Sequence, residues 1–230
     1  MKIAMWSGPR NLSTAMMYSF GNRGDLRPWD EPFYAAYLNV TKIKHPMQAE
    51  ILAAGPTDPQ IVADEITQRG DAQFLKLMTF HIRDGFSMDW GKDCKHFHLI
   101  RHPARVIASY SQKRESPTLE DIGFARHLEI YRQFPGPVVS SFDIRQNPRK
   151  MLKNCAIHLD LSLNLPCSAG LWVPKHLMAF GHLIGMMPSI VLPVSQPLKG
   201  HCPNLQGKMR NFARRPYLPI WPWQHIRSKR

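Results

Sequence analysis

Apolar and polar residues fall along this chain in blocks whose period switches between that of a strand and that of a helix. Lys2 to Trp6 is a short apolar run closed by Ser7-Gly8-Pro9-Arg10-Asn11, and Leu12 to Phe20 then sets apolar residues at helical spacing until Gly21 stops it. The pattern predicts strand, loop, helix. A short segment ending at Asp30 predicts a second strand, and Phe33-Tyr34 begins a helix. Asp58-Pro59 introduces a helix through Arg69, closed by Gly70, with Thr57 as the candidate cap. Ala72 to Phe80 and Lys95 to Ile100 are apolar runs of strand length, separated by the turn-rich Arg83-Asp84-Gly85 and Trp90-Gly91-Lys92-Asp93. Both predict buried central strands. Pro103 starts a helix through about Lys113, and Thr118-Leu119-Glu120-Asp121 is a capping box for a helix running to Phe134. Pro137 to Phe142 predicts one more strand, and Asn147-Pro148 opens a helix ending near Leu159.

Strands alternating with helices predict an α/β fold, a mostly parallel sheet covered on both faces. Ligands in such folds bind where strands hand over to helices, at the carboxyl edge. Residues 7 to 14 and 100 to 109 form two loops expected there.

Composition narrows the class. With 43% hydrophobic and 20% charged residues, the 230-residue chain is neither disordered, collagen-like nor a coiled coil, and it is long enough for one well-buried domain. The first apolar run is too short for a secretory signal. No eighteen apolar residues occur in succession, since Leu171 to Val194 is broken by Lys175, His176, His182 and three prolines. Cys94, Cys155, Cys167 and Cys202 show neither a C-x-x-C pair nor zinc-ligand spacing. A cytoplasmic protein with reduced thiols and no membrane span is expected.

The net charge of +13 is lopsided: residues 161 to 230 contain nine Lys or Arg and no acid, so most of the excess belongs to the tail. That tail also holds nine of the 20 prolines, and beyond Pro188 it lacks sustained periodicity. It reads as a basic arm for nucleic acid, a proline-rich docking segment, or sequence not selected to fold, such as a shifted reading frame; the last is favoured, because selected surfaces usually mix both signs of charge. The expected division is a domain over 1–165 and an atypical tail over 166–230, with nucleic acid an unlikely partner for the domain.

Ser7-Gly8-Pro9-Arg10-Asn11-Leu12-Ser13-Thr14 follows a strand and opens a helix, which turns backbone amides and the positive helix end toward any anion there. It is not a Walker A motif, because Ser13 and Thr14 stand where the second glycine and the lysine would be. Two readings stay open: an anion cradle with Arg10 as its cation, or a capped helix with Arg10 merely solvated. In the second loop, Arg101 ends a strand and Ser109 lies two turns into the following helix, so both reach one phosphate beside the sheet edge.

Here the chain resembles the P-loop sulfotransferases that use 3'-phosphoadenosine 5'-phosphosulfate (PAPS). Pro9, Arg10, Ser13 and Thr14 match the family's P-[KR]-S-G-T-[TS] loop, with Asn11-Leu12 in place of Ser-Gly, and Arg101 and Ser109 match its R-x-P-x-x-x-x-x-S segment. Asp30-Glu31-Pro32-Phe33-Tyr34, Lys76-Leu77-Met78-Thr79 and Pro117 to Gly123 resemble a bacterial branch of sulfotransferase-like proteins, over roughly residues 1–165.

The resemblance implies a three-layer P-loop sulfotransferase-like fold and transfer of a sulfuryl group from PAPS, without a metal, to a hydroxyl or amine of a small-molecule acceptor. It implies that Gly8, Pro9, Arg10, Asn11, Leu12, Ser13 and Thr14 hold the 5'-phosphosulfate, and that Arg101 and Ser109 hold the 3'-phosphate. Arg10 would neutralise the leaving phosphate with help from Lys76. Leu77 stands where this branch carries a histidine, so His81 becomes the candidate base, with a turn histidine as its plain alternative. Asp30 and Glu31 are candidates to bind the acceptor or to serve as base, or else form a solvated turn. His96 and His98, two apart on a strand, share one face with no third ligand of metal-binding spacing. Met16-Met17 reads as core filling. A catalytically impaired nucleotide-binding relative is the alternative function, and a nucleic-acid binder acting through the tail is the third. The oligomeric state is not legible.

Overall fold

The computed structural model describes residues 1–110 and 118–163; the tail, and every expectation attached to it, lies outside the described residues. The described strands are β1 (Lys2–Ser7), β2 (Arg27–Asp30), β3 (Gln73–Met78), β4 (Cys94–Ile100) and β5 (Val138–Ser140). All pair in parallel, in the order β2-β3-β1-β4-β5. The helices are α1 (Ser13–Gly21), α2 (Tyr34–Thr41), α3 (Gln48–Ala54), α4 (Pro59–Gln68), α5 (Pro103–Tyr110), α6 (Leu119–Ile122), α7 (Phe124–Gln133), α8 (Ser141–Gln146) and α9 (Pro148–His158). The fold is α/β, as the alternation requires.

The period of two along the central strands divides the core into two layers. Ile3 and Met5 of β1, Phe74 of β3, and Phe97 and Leu99 of β4 pack against Met16, Met17 and Phe20 of α1 and Leu152 and Ala156 of α9. Ala4, Trp6, Leu75 and Leu77 face the other way, onto Val62 and Ile66 of α4 and Ile130 of α7. Because β1, β3 and β4 are covered on both faces, their sequences read as continuous apolar runs. A smaller cluster joins α2 to α3 through Ala35, Leu38 and Ile51.

Several sequence expectations are corrected. Asp58, not Thr57, caps α4: its Oδ1 accepts from the Gln60 amide at 2.8 Å. The expected helix from Thr118 to Phe134 is two helices. The Thr118–Asp121 capping box is present, but Gly123 turns left-handed at φ 69° and ends α6 after one turn. The third strand stops at Met78, since residues 79–81 wind into a 3-10 turn. The last strand is only Val138–Ser140, because the Ser140 hydroxyl accepts from the Phe142 amide and starts α8. Asn147 caps α9 through the Lys150 amide, as Asn147-Pro148 predicts. The expected helix from Pro103 is helical through Tyr110, and its remainder passes outside the described residues.

Candidate functional site

Four segments leave the carboxyl ends of neighbouring strands: residues 8–12 after β1, 31–33 after β2, 79–81 after β3 and 101–102 after β4. Side chains far apart in sequence meet at this edge.

After β1 the backbone reverses twice in five residues, with Arg10 at φ 62° and Leu12 at φ 70°. Leu12 therefore adopts the left-handed conformation for which a glycine would be the unstrained choice, at a cost of about 1–2 kcal/mol. Its side chain packs on the α1 core layer, which offsets part of that cost. The turn swings Asn11 inward, where its Nδ2 donates to the Leu99 carbonyl at 3.0 Å and ties the loop to the end of β4. Asn11 Oδ1 is buried with no hydrogen-bond partner among the described residues. Leu12 gives α1 no side-chain cap, so the amides of its first turn are left for another acceptor. Gly8 sits under the end of α6: a Cβ there would lie 3.2 Å from the Ile122 carbonyl oxygen. Pro9 and Ser13 are buried, and Thr14 is half-buried.

The structure joins the two loops that the sequence placed at one edge. Arg10 Nε donates to Ser109 Oγ at 3.0 Å, and an Arg101 guanidinium nitrogen donates to the Arg10 carbonyl at 2.8 Å. Burial, followed by the like charges of Arg145, Arg105 and Arg10, presses Arg101 below the ordinary guanidinium value. Four arginines converge here, a disposition that favours an anion. Arg145 was missed by the sequence reading. Its only local signal was a basic residue in the last turn of a helix that follows a strand.

Toward the other end of the edge, Lys76 is 1% exposed and its ammonium donates to Asp30 Oδ1 and Glu31 Oε1, each at 2.6 Å. Successive strand residues normally point to opposite faces. Here Glu31 takes a positive φ of 47°, which lets both carboxylates turn to one ammonium. Burial alone would lower the Lys76 ammonium, but Asp30 and Glu31 outweigh it and hold the group above its ordinary value. Lys76, expected to assist Arg10 at the leaving phosphate, is engaged in fixing two carboxylates.

His81 is buried, and this corrects the alternative of a surface turn histidine. Its ring lies between Tyr34 and Tyr37, with centroids 4.6 and 4.9 Å away, and Phe80 meets it edge-on. Burial, with Lys76 adding to it, keeps the imidazole neutral well below its ordinary pKa. Its Nδ1 is 3.9 Å from Glu31 Oε2, too far for a hydrogen bond. Leu77 is packed into the sheet core on the α4 side. His96 and His98 do share a face, where His96 bonds the Trp6 indole and the Gly91 carbonyl while His98 bonds His127 and the Phe134 carbonyl.

Residues 1–173 match the family model of a sulfotransferase domain. The chain belongs to the sulfotransferase domain family. Among solved structures, the sulfotransferase domain from the curacin biosynthetic pathway superposes with a TM-score of 0.53 at 15% identity, covering 79% of this chain and 81% of that one. The likeness is one of fold. Two curated proteins of Arabidopsis thaliana are also similar: branched-chain-amino-acid aminotransferase-like protein 2, 27% identical over 189 residues, and protein 1, 29% identical over 167. This sulfotransferase-family chain spans about a third of their length, 34% and 30% respectively. Among the described residues no helix is long and apolar enough to cross a membrane.

Proposed function

We propose that the protein transfers a sulfuryl group from PAPS to a hydroxyl of a small-molecule acceptor. The observation that carries the reading is the linked Arg10, Ser109 and Arg101, which unites the loops after β1 and β4 into one cationic edge. The residues present fit the nucleotide. Leu12 supplies the left-handed turn that closes the first loop, a Cβ on Gly8 would crowd the Ile122 carbonyl oxygen at 3.2 Å, and the first amides of α1 lack a side-chain cap.

PAPS supplies the sulfuryl group and departs as adenosine 3',5'-bisphosphate when the acceptor oxygen takes its place on sulfur. Arg10, exposed at the loop tip, neutralises charge that grows on the departing phosphate, and the α1 amides orient that phosphate. Arg101 and Ser109 hold the 3'-phosphate, with Arg105 and Arg145 adding to the field. Asp30 accepts the acceptor's proton: one of its oxygens is held by Lys76, and its side chain is 37% exposed at the strand end, within reach of substrate. His81, shut between two tyrosines, is not placed to take that proton.

The test is thermal stabilisation by adenosine 3',5'-bisphosphate compared with ADP. The bisphosphate is expected to raise Tm more, and Arg101→Ala to abolish the difference. Equal shifts for both ligands would remove the nucleotide assignment.

A further inference from the structure

The carboxylate end of this edge sets two acid groups against one ammonium. Asp30 and Glu31 share the single ammonium of Lys76, and the charged or titratable groups acting on Asp30 are Lys76, Glu31 and His81. His81 contributes no charge at neutral pH, because burial and Lys76 keep it unprotonated. Burial is the strongest influence on Asp30 and raises its carboxyl above the ordinary value, so the cluster lacks the second cation that would hold both carboxylates ionised. A second observation points to an absent partner. His81 Nδ1 is buried without a hydrogen bond among the described residues, and it lies 3.9 Å from Glu31 Oε2. Lys76 takes the opposite oxygen, Glu31 Oε1.

An aromatic ring stands beside these carboxylates, since the Tyr34 amide donates to the Glu31 carbonyl at 2.9 Å. Tyr34 is fixed by stacking on His81 and by its hydroxyl, which lies 2.9 Å from His45 Nε2. Burial and the Glu31 charge hold that phenol protonated far above its ordinary range, so the ring stays a neutral π-surface. A carboxylate beside a phenol ring is chemistry that recognises an ammonium ion. The opposite end of the edge, with Arg10, Arg101, Arg105 and Arg145, repels one. Asp30 on β2 and Arg101 after β4 are separated by three strand spacings, roughly 14 Å. The edge is thus bipolar over the length of a small substrate and its donor.

We infer that the acceptor is an amino alcohol or amino phenol, whose protonated amine sits against Glu31 and the Tyr34 ring while its hydroxyl is presented at Asp30. This rests on the sulfotransferase reading and adds the acceptor's class. The polarity of the edge sets the orientation: the ammonium is drawn to the carboxylates and the hydroxyl is left nearer the arginines. No proton need leave the amine. The hydroxyl proton passes to Asp30 as the acceptor oxygen bonds to sulfur and the sulfur–oxygen bond to the departing bisphosphate breaks.

The experiment uses the full chain saturated with adenosine 3',5'-bisphosphate and two matched series of probes, titrated calorimetrically. The series are 3-aminopropan-1-ol, 1,3-propanediol and 3-hydroxypropanoate, and tyramine, tyrosol and 4-hydroxyphenylacetate. In at least one series the ammonium member is expected to bind tenfold or more tightly than its neutral partner, with the carboxylate weakest. Glu31→Gln should erase that preference while the bisphosphate still binds, and Asp30→Asn provides a second charge-removing variant should Glu31→Gln fail to fold. Turnover with PAPS should rank the probes in the same order. Ammonium members that bind no better than the diol or tyrosol, that do not bind at all, or that keep their advantage in both variants overturn the inference. Loss of ammonium selectivity with bisphosphate binding intact leaves the sulfotransferase reading standing, whereas absence of bisphosphate binding removes that reading itself.

Discussion

Replacing Lys76 by methionine removes one ammonium and almost no volume, so the variant reports on charge and not on a cavity. In the native protein that ammonium is 1% exposed and makes two charge-assisted hydrogen bonds of 2.6 Å. Removing one partner of a buried ion pair costs about 3–5 kcal/mol, because the remaining charge is left without compensation. Here the residual charges are unequal in their access to water. Glu31 is 13% exposed and Asp30 37%, yet burial already raises the Asp30 carboxyl; proton uptake by Asp30 then relieves part of the uncompensated charge, which places the expected loss at the low end, about 3 kcal/mol. For a domain of this size that corresponds to a fall in Tm of roughly 6–12 °C. The loss carries a pH signature. Without Lys76 the two carboxylates repel each other and take up protons more readily in the folded state, so the variant's deficit relative to native protein is largest at pH 7 and shrinks toward pH 4. Urea unfolding followed by tryptophan fluorescence at pH 7 and pH 5 measures it. A deficit below about 1 kcal/mol, or one that does not shrink on acidification, would show that Lys76 does not hold the two carboxylates as argued.

Three further expectations are independent of that one. His98 and His127 face each other across 3.2 Å in the core, and burial pushes them down to about 4 and about 3; the unfolded chain binds more protons as pH falls below 6.5, so stability falls with it. Going from pH 7 to pH 5 should cost about 2 kcal/mol per histidine, and a flat urea midpoint over that range would contradict their neutral burial. Gly136→Ala would bring a Cβ to 2.3 Å from the His96 carbonyl oxygen, a backbone atom that cannot swing aside, so the β4–β5 edge should open and stability drop by about 3 kcal/mol; an unchanged Tm would refute the close approach. In steady-state assays with PAPS, Arg10→Ala should lower kcat more than it raises KM, and Arg101→Ala should mainly raise KM for the nucleotide; the reverse pattern would mean that the two arginines exchange roles.

What could be read without a structure is what depends on neighbours in the chain. The strand–loop–helix at Lys2 to Phe20, the capping box at Thr118 and the Asn147 cap follow from local periodicity and local hydrogen bonds, and they stand where the sequence put them. The choice between Thr57 and Asp58 as cap lies within the one- or two-residue uncertainty of helix boundaries. Gly123 was visible as a glycine but not as a break. Its left-handed turn is set by packing, with Thr79 and Phe80 lying against it. The two loops at the carboxyl edge of the sheet were legible because each follows a strand and opens a helix. That Arg10 meets Ser109, 99 residues away, follows only from the pairing of β1 with β4. The carboxylate end was less legible still. Asp30 and Glu31 look alike in sequence, and it takes the register of β2 on β3, which sets Asp30 opposite Lys76, together with a positive φ at Glu31, to aim both at one ammonium. His81 became a buried neutral ring because α2 carries Tyr34 and Tyr37 over it. The affinity of such a group for protons depends on what the fold packs around it, and no spacing along the chain encodes that.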